Sequence, residues 1–418
     1  MVDITIIREK PQEIQKAAAA KGVTVDIETV LDLDKQFQSL QREIQTVREE
    51  RNALAKGITG KPTPEQVEKG KKVKETLDTK EQAFQKIETE LKALLLAIPN
   101  PSKPDVKVGK DDSENEVMKM VGTPRKFTFK PKDHLELGEA LGIIDVKQAA
   151  VVSGARFDYL LGDGALLENA LRQFAFDTLT KEGFIPVSPP VLVKHEIMEG
   201  LGYTAMGEAE NIFSLDKDGL YLVGTSEQSV VPLHMNDVLQ KEDLPRRYVS
   251  YSSSFRREAG SYGKDTKGIF RVHQFNKVEM VSFVAEGEDD KEHEFLLALE
   301  EKFFQLLDIP YQVVTICTGD LGFNAARKYD LEAWIPSQEK YREVTSASTT
   351  TDFQSRRLNM RYQDGEQRKY LQVLNGTAFS MNRPIIAILE NYQQEDGSVH
   401  IPEVLQKYMG KDKIAAKK

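Results

Sequence analysis

The sequence has 418 residues, with 57 Lys+Arg against 66 Asp+Glu, a net charge of −9 and a pI near 5.5, which argues against a protein that coats nucleic acid non-specifically. With 40% hydrophobic residues and a mean hydropathy of −0.45 it can bury a sizeable core, more than one domain is expected at this length, and wholesale disorder is excluded. The longest apolar runs, such as Ala93 to Ile98, fall far short of the ~20 residues a membrane helix needs, so no membrane partner is expected. The opening Met-Val-Asp-Ile-Thr-Ile-Ile-Arg has neither a secretory nor a transit pattern, and a cytoplasmic protein is expected. A single cysteine, Cys317, and six scattered histidines exclude a disulfide or a spaced zinc motif, so any metal should be a hard cation held by oxygen.

From Leu33 the apolar positions Leu33, Phe37, Leu40, Ile44, Val47 and Leu54 step by four and three, with Arg51 as the exception. The spacing predicts one long helix with a narrow seam. Lys56 to Pro64 holds two glycines and two prolines and must reverse the chain. A second seam, Val73, Leu77, Phe84, Ile87, Leu91, Leu94 and Ile98, interrupted by Lys80, completes an antiparallel helical hairpin. Its second helix would be ~50 Å long, so the hairpin is expected to project as an arm. Pro99, Pro101 and Pro104 then end it, which puts the boundary between an arm domain, 1–105, and a catalytic body, 106–418. Between Leu33 and Ile98 there are thirteen Lys/Arg and eleven Asp/Glu, a net +2 that leaves −11 for the rest. A solvated strut, a dimerisation coil and an antenna for a polyanion all fit that balance.

The body alternates strand-like and helical runs without repeats and reads as one mixed α+β domain. It has neither a P-loop nor a dinucleotide glycine fingerprint, so any nucleotide must be held by charged side chains. Tyr248–Tyr251 and Ile269–Val272 read as strands, with Gly260–Asp265 as loop, which predicts a long β-hairpin. Alternation puts Arg256 and Glu258 on one face of the first strand, and Arg271, His273, Phe275, Lys277 and Glu279 on one face of the second. Phe270, Val272, Val278 and Met280 occupy the opposite, core-like face. Arginines, an aromatic platform and acids on one sheet face suit a ligand with phosphates, a flat base and an ammonium group; a solvated face with cross-strand ion pairs is the plainer alternative.

Phe255-Arg256-Arg257-Glu258-Ala259-Gly260-Ser261, with Arg271-Val272-His273-Gln274-Phe275 and Val278-Glu279-Met280, resembles motif 2 of the class II seryl-tRNA synthetases. Phe184 to Pro190 resembles motif 1, Thr225-Ser226-Glu227 the Thr-x-Glu loop, and Leu374-Asn375-Gly376-Thr377 with Arg383 and Ala387 to Tyr392 motif 3. Tyr341 to Val344 with Ser346, Thr351 to Arg357, and Arg51-Asn52-Ala53-Leu54 in the arm extend the likeness over the whole chain. The departures are Ala378 and Asn382, where the family commonly has glycine, Pro384 after Arg383, and Ser346 to Thr351, which lacks the asparagine and cysteine often found there.

The resemblance implies a class II antiparallel sheet flanked by helices. It implies ATP-dependent activation of L-serine and transfer to tRNA(Ser), with ATP and Mg2+ as cofactors, in a homodimer whose arm grips the tRNA; no DNA partner is implied. By the same resemblance Arg256 is the catalytic clamp. Arg256, Arg257, Glu258, Arg271, Val272, Phe275, Glu343, Ser346 and Arg383 would bind ATP, with adenine between Phe275 and Arg383. Glu343 and Ser346 would hold the magnesium ion. Thr225, Ser226, Glu227, Arg256, Glu279, Asn375 and Thr377 would bind serine. A silent, tRNA-binding derivative of such an enzyme and a ligase that charges a carrier protein are the competing readings.

Overall fold

The computed structural model describes residues 1–57, 60–205, 208–259 and 267–415, so the predicted loop Gly260–Asp265 lies outside the described residues. The chain divides into two compact units, Met1–Pro101 and Ser102–Lys418.

The first unit contains four helices: α1 (Ile4–Glu9), α2 (Pro11–Ala20), α3 (Ile27–Lys56) and α4 (Pro64–Leu96). The two long helices are the predicted hairpin, and their ends follow from capping. Asp26 accepts from the Thr29 amide to start α3, while Thr63 and Gln66 form a reciprocal capping box with Pro64 in the first turn of α4. Leu33, Ile44, Val73, Leu77 and Leu91 of the seams are buried, and the Phe37 and Phe84 rings meet at 4.6 Å. Lys80, the polar exception in the second seam, pairs with Glu43 across the hairpin, as does Arg48 with Glu81 at 2.8 Å. The short helices α1 and α2 have no seam long enough to be read in the sequence. They bury Ile7, Ile14 and Ala18, and Arg8 grips Asp34 of α3 at 2.7 Å.

The second unit is built on an eight-stranded sheet of β1 (Glu116–Val121), β2 (Ile185–Val187), β3 (Arg246–Phe255), β4 (Gln274–Val284), β5 (Tyr311–Thr315), β6 (Arg327–Ile335), β7 (Lys340–Thr351) and β8 (Gln372–Ser380). The order is β1-β5-β6-β7-β8-β4-β3-β2, antiparallel throughout except for the parallel edge pair β3-β2. Helices α5 (His134–Leu141), α6 (Asp163–Lys181), α7 (Asp289–Leu306) and α8 (Asn382–Tyr392) contribute to the main core with Leu137, Leu171, Phe303 and Ile388. Among the described residues no helix is long and apolar enough to cross a membrane.

Bulges set which side chains face outward. Opposite β4, the register slips at Ala378, so after Asn375 and Thr377 the next cavity-facing residue is Ser380, while Phe379 turns into the core. Against β6 the slip falls at Val344, which brings Glu343 and Ser346 to the same cavity although they are three positions apart. A third slip lies between Thr349 and Thr351.

The predicted hairpin is corrected in two respects. Its first strand ends at Phe255, so Arg256 and Glu258 lie beyond it, and Glu258 adopts a left-handed φ of 51°. Its second strand begins only at Gln274, so Ile269–Val272 is a turn-rich segment rather than a strand. Phe270 and Val272 are nonetheless buried in the core, so their apolar character was read correctly and their conformation was not.

His293 of α7 is fully buried, stacked 4.6 Å from Tyr329, with Nε2 donating to the Ala347 carbonyl and Nδ1 accepting from Arg327 Nε. Burial pushes its pKa down to about 4, against the opposing Ala347 hydrogen bond. Unfolded histidine titrates near 6.5, so as pH falls the unfolded chain takes up its proton first. The stability tied to this ring is complete above that value and is lost on the way down to about 4. Thermal midpoints followed across that range should therefore fall more steeply for the native chain than for His293→Gln; parallel curves would contradict this.

Candidate active site

A cavity of about 460 Å³ opens on the face of β4, β7 and β8. It gathers Thr225, Glu227, Arg256, Glu258, Arg271, Val272, Phe275, Glu279, Glu343, Ser346, Asn375, Thr377 and Arg383 from segments far apart in sequence. Two expected residues do not line it. Ser226 is fully buried, with its hydroxyl accepting from Ser250 Oγ at 2.8 Å, and Arg257 turns away to donate to the Ile212 carbonyl and lie over Phe213.

One end of the cavity is cationic. The Arg256 amide donates to the His273 carbonyl, and its Nε donates to the Gly224 carbonyl at 3.2 Å. The guanidinium sits 5.4 Å over the Phe275 ring. Arg271 pairs with Glu258 at 2.5 Å, and among the described residues its buried Nε has no hydrogen-bond partner. Arg383 lies over Phe270, at 5.0 Å, and 3.3 Å from Glu343. Glu343 is 43% accessible through the cavity mouth, yet cations ring it. Its surroundings would raise the pKa by desolvation, but Arg383, Lys328 and Arg256 outweigh that and hold the carboxyl well below its usual range.

The other end is buried and acidic. Glu279, 1% exposed on β4, has its pKa pushed up to about 7 by burial and by Glu227, against the pull of Lys277 and Arg256. Glu227 is 3% exposed at the start of a helical turn, accepts from Tyr203 and Gln354, and is raised by burial too. Lys277 stands between them: its Nζ is 2.6 Å from Glu279 Oε2 and donates to Thr225 Oγ1 at 3.3 Å. Thr377 Oγ1 reaches Glu279 at 3.5 Å. The charged face of β4 is therefore not a solvated one. Sequence reading placed Lys277 on this face without giving it a role; Tyr203 left no local signal, and Gln354 was visible only as part of a motif.

Each departure in motif 3 finds a place. Ala378 is the bulge residue, Pro384 falls in the first turn of α8 where its missing N–H is not needed, and Asn382 donates to Asp158 and to the Ile269 carbonyl.

Residues 212–392 match the tRNA synthetase class II core domain (G, H, P, S and T), and residues 1–102 match the seryl-tRNA synthetase N-terminal domain. The fold is that of a class II aminoacyl-tRNA synthetase. The chain is 45% identical to the serine–tRNA ligase of Acidothermus cellulolyticus over all of both chains. The crystal structure of seryl-tRNA synthetase from Pyrococcus horikoshii complexed with ATP superposes with a TM-score of 0.92 at 40% identity, covering all of both chains. The cytoplasmic serine–tRNA ligase of Naegleria fowleri in complex with AMP gives 0.88 at 31%, covering 100% of this chain and 99% of that one. The chain belongs to the seryl-tRNA synthetase family.

Because Lys277 opposes the upward shift of Glu279, replacing it should send that shift further. Carboxyl-carbon NMR should show Glu279 titrating at about 7 in the native chain and higher in Lys277→Met. A midpoint in the ordinary carboxylate range in both would contradict the arrangement.

Proposed function

We propose that this chain activates L-serine with ATP, forming seryl-adenylate and pyrophosphate, and passes the seryl group to the 3′ end of tRNA(Ser). The observation that carries this is one cavity with a cationic, aromatic-lined end for a nucleotide and a buried end for a small polar amino acid. Full-length relatives named as serine–tRNA ligases favour an active enzyme over a silent derivative.

In the first step the serine carboxylate attacks the α-phosphorus, its bond to the bridging oxygen breaks, and pyrophosphate leaves with that electron pair. The nucleophile is already an anion, so no general base is required. Arg256 lies between the two ends and meets the negative charge that builds at the reacting phosphate. Arg271 lines the cavity with a donor unused among the described residues, which suits the outer phosphates, and Phe275 offers a face to the base. At the far end the ammonium group of serine meets Glu227 and Thr225, and its hydroxyl meets Glu279 and Thr377. In the second step the tRNA ribose hydroxyl attacks the acyl carbon, and AMP leaves.

Among the described residues no group of three His, Cys, Asp or Glu could hold a metal alone. A magnesium ion fits if ATP supplies the rest of its oxygens: the ionised Glu343 and the Ser346 hydroxyl share the cavity wall. Such an ion neutralises phosphate charge. We infer a homodimer as well, supported by exposed apolar side chains on the second unit such as Val151 and Met120, and a cytoplasmic setting. The hairpin is read as the grip on tRNA, supported by exposed Lys69, Lys71, Lys72 and Lys74 on α4 of an otherwise acidic chain.

Arg256→Ala should lower serine-dependent pyrophosphate exchange into ATP by roughly 10³ while tRNA binding persists. Survival of exchange would remove the clamp assignment. Lys71→Glu with Lys72→Glu should do the reverse, weakening tRNA by about tenfold at low salt and sparing exchange. Unchanged tRNA affinity would take the hairpin out of recognition.

A further inference from the structure

The segment 267–273, just before β4, belongs to no strand or helix, yet it carries Phe270 and Arg271 into the cavity. Something other than a ladder must hold it. Ile269, fully buried, has both of its backbone groups held by side chains from remote helices. Its N–H donates to His134 Nε2 at 3.3 Å, and its carbonyl accepts from Asn382 Nδ2 at 3.2 Å. His134 starts α5 and is 4% exposed; Asn382 starts α8 and is 6% exposed.

Each gripping side chain is itself fixed. Because His134 Nε2 accepts, its proton sits on Nδ1, which faces Glu390 Oε1 at 3.2 Å; the same oxygen accepts from the His134 amide at 3.0 Å. Glu390 Oε2 accepts from the Ser337 amide, so this buried carboxylate anchors the ring from behind. Asn382 Nδ2 also donates to Asp158 Oδ1 at 3.1 Å. Gly268, with φ of 72°, supplies independent support for the ring's position: a Cβ there would stand 2.1 Å from His134 Nε2. No residue with a side chain fits without driving the imidazole away.

We propose that His134 and Asn382 are positioning residues for the nucleotide end of the site. They clamp the Ile269 peptide groups so that Phe270 stands under Arg383 and Arg342, and Arg271 meets Glu258 across the cavity wall. This rests on the reading of Arg271 as a phosphate ligand. Glu279 and Glu227 are held by Lys277, Thr377, Tyr203 and Gln354 and not by this grip, so loosening it should be felt by ATP and not by serine.

The test is pyrophosphate exchange by the full-length chain, titrated separately in ATP and in serine, for Asn382→Ala, His134→Ala, Gly268→Ala and Arg271→Ala. Asn382→Ala and Gly268→Ala should each raise KM for ATP about tenfold and leave KM for serine within about twofold, as loss of a hydrogen bond at one end of a site would. His134→Ala should match Gly268→Ala; if either fails to fold, Asn382→Ala alone decides. If Arg271→Ala raises KM for ATP while Asn382→Ala does not, or if Asn382→Ala moves both KM values equally, the clamp is wrong and the phosphate reading stands. If Arg271→Ala leaves KM for ATP unchanged, the phosphate reading falls and takes the clamp with it.

Discussion

The site depends on one buried ammonium. Lys277 lies 7% exposed on a central strand with Glu279 at 2.6 Å and Glu227 among the charges around it, in a place where two unopposed carboxylates would repel each other and lack water. Burying an ionised acid without a partner costs several kcal/mol, and truncating one member of such a group leaves the others stranded. Hydroxyls from Thr225, Tyr203 and Thr377 and the amide of Gln354 complete the shell. This is a buried, hydrogen-bonded polar pocket. It can reward a substrate that replaces its hydrogen bonds and penalise one that leaves them unmade, which is how a hydroxyl is told from a hydrogen. Alanine would leave buried acceptors unpaired, whereas threonine would have to be refused by lack of room.

Bulges do the second part of the work. A strand shows alternate residues to each face, so two side chains three apart should never meet one ligand. The slip at Val344 lets Glu343 and Ser346 line one cavity, and the slip at Ala378 lets Thr377 and Ser380 share it while Phe379 fills the core. The same sheet thus keeps a packed underside against α7 and α8, where Thr345 and Ala347 of β7 bond Glu300 and His293, and a polar upper side whose spacing departs from the pleat.

How much of this could be read from residues alone follows from what each part depends on. The two seams of the hairpin were legible because burial along a helix repeats locally, and Val278 and Met280 were legible as core because β4 is regular. The segment Ile269–Val272 was misread as strand: its apolar residues are buried as a strand's would be, but its peptide groups are satisfied by His134 and Asn382, more than a hundred residues away in either direction. Lys277 was visible as a charge on a face without a hint that the face is sealed. Arg257 sits inside the most diagnostic motif and still turns away from the cavity that Arg256 and Glu258 line, as alternation implied; only the resemblance had put it there. Local pattern gave the elements, while the contacts between distant segments decided the site.

The central claim is that the pocket floor recognises a hydroxyl through partnered buried acids. Binding of non-hydrolysable seryl- and alanyl-adenylate analogues to the full-length chain, measured by calorimetry, tests it without depending on turnover. The seryl analogue should bind at least about a hundredfold more tightly, as a site built around a hydroxyl requires. Equal affinities would show that Glu279 and its neighbours do not read the substrate side chain.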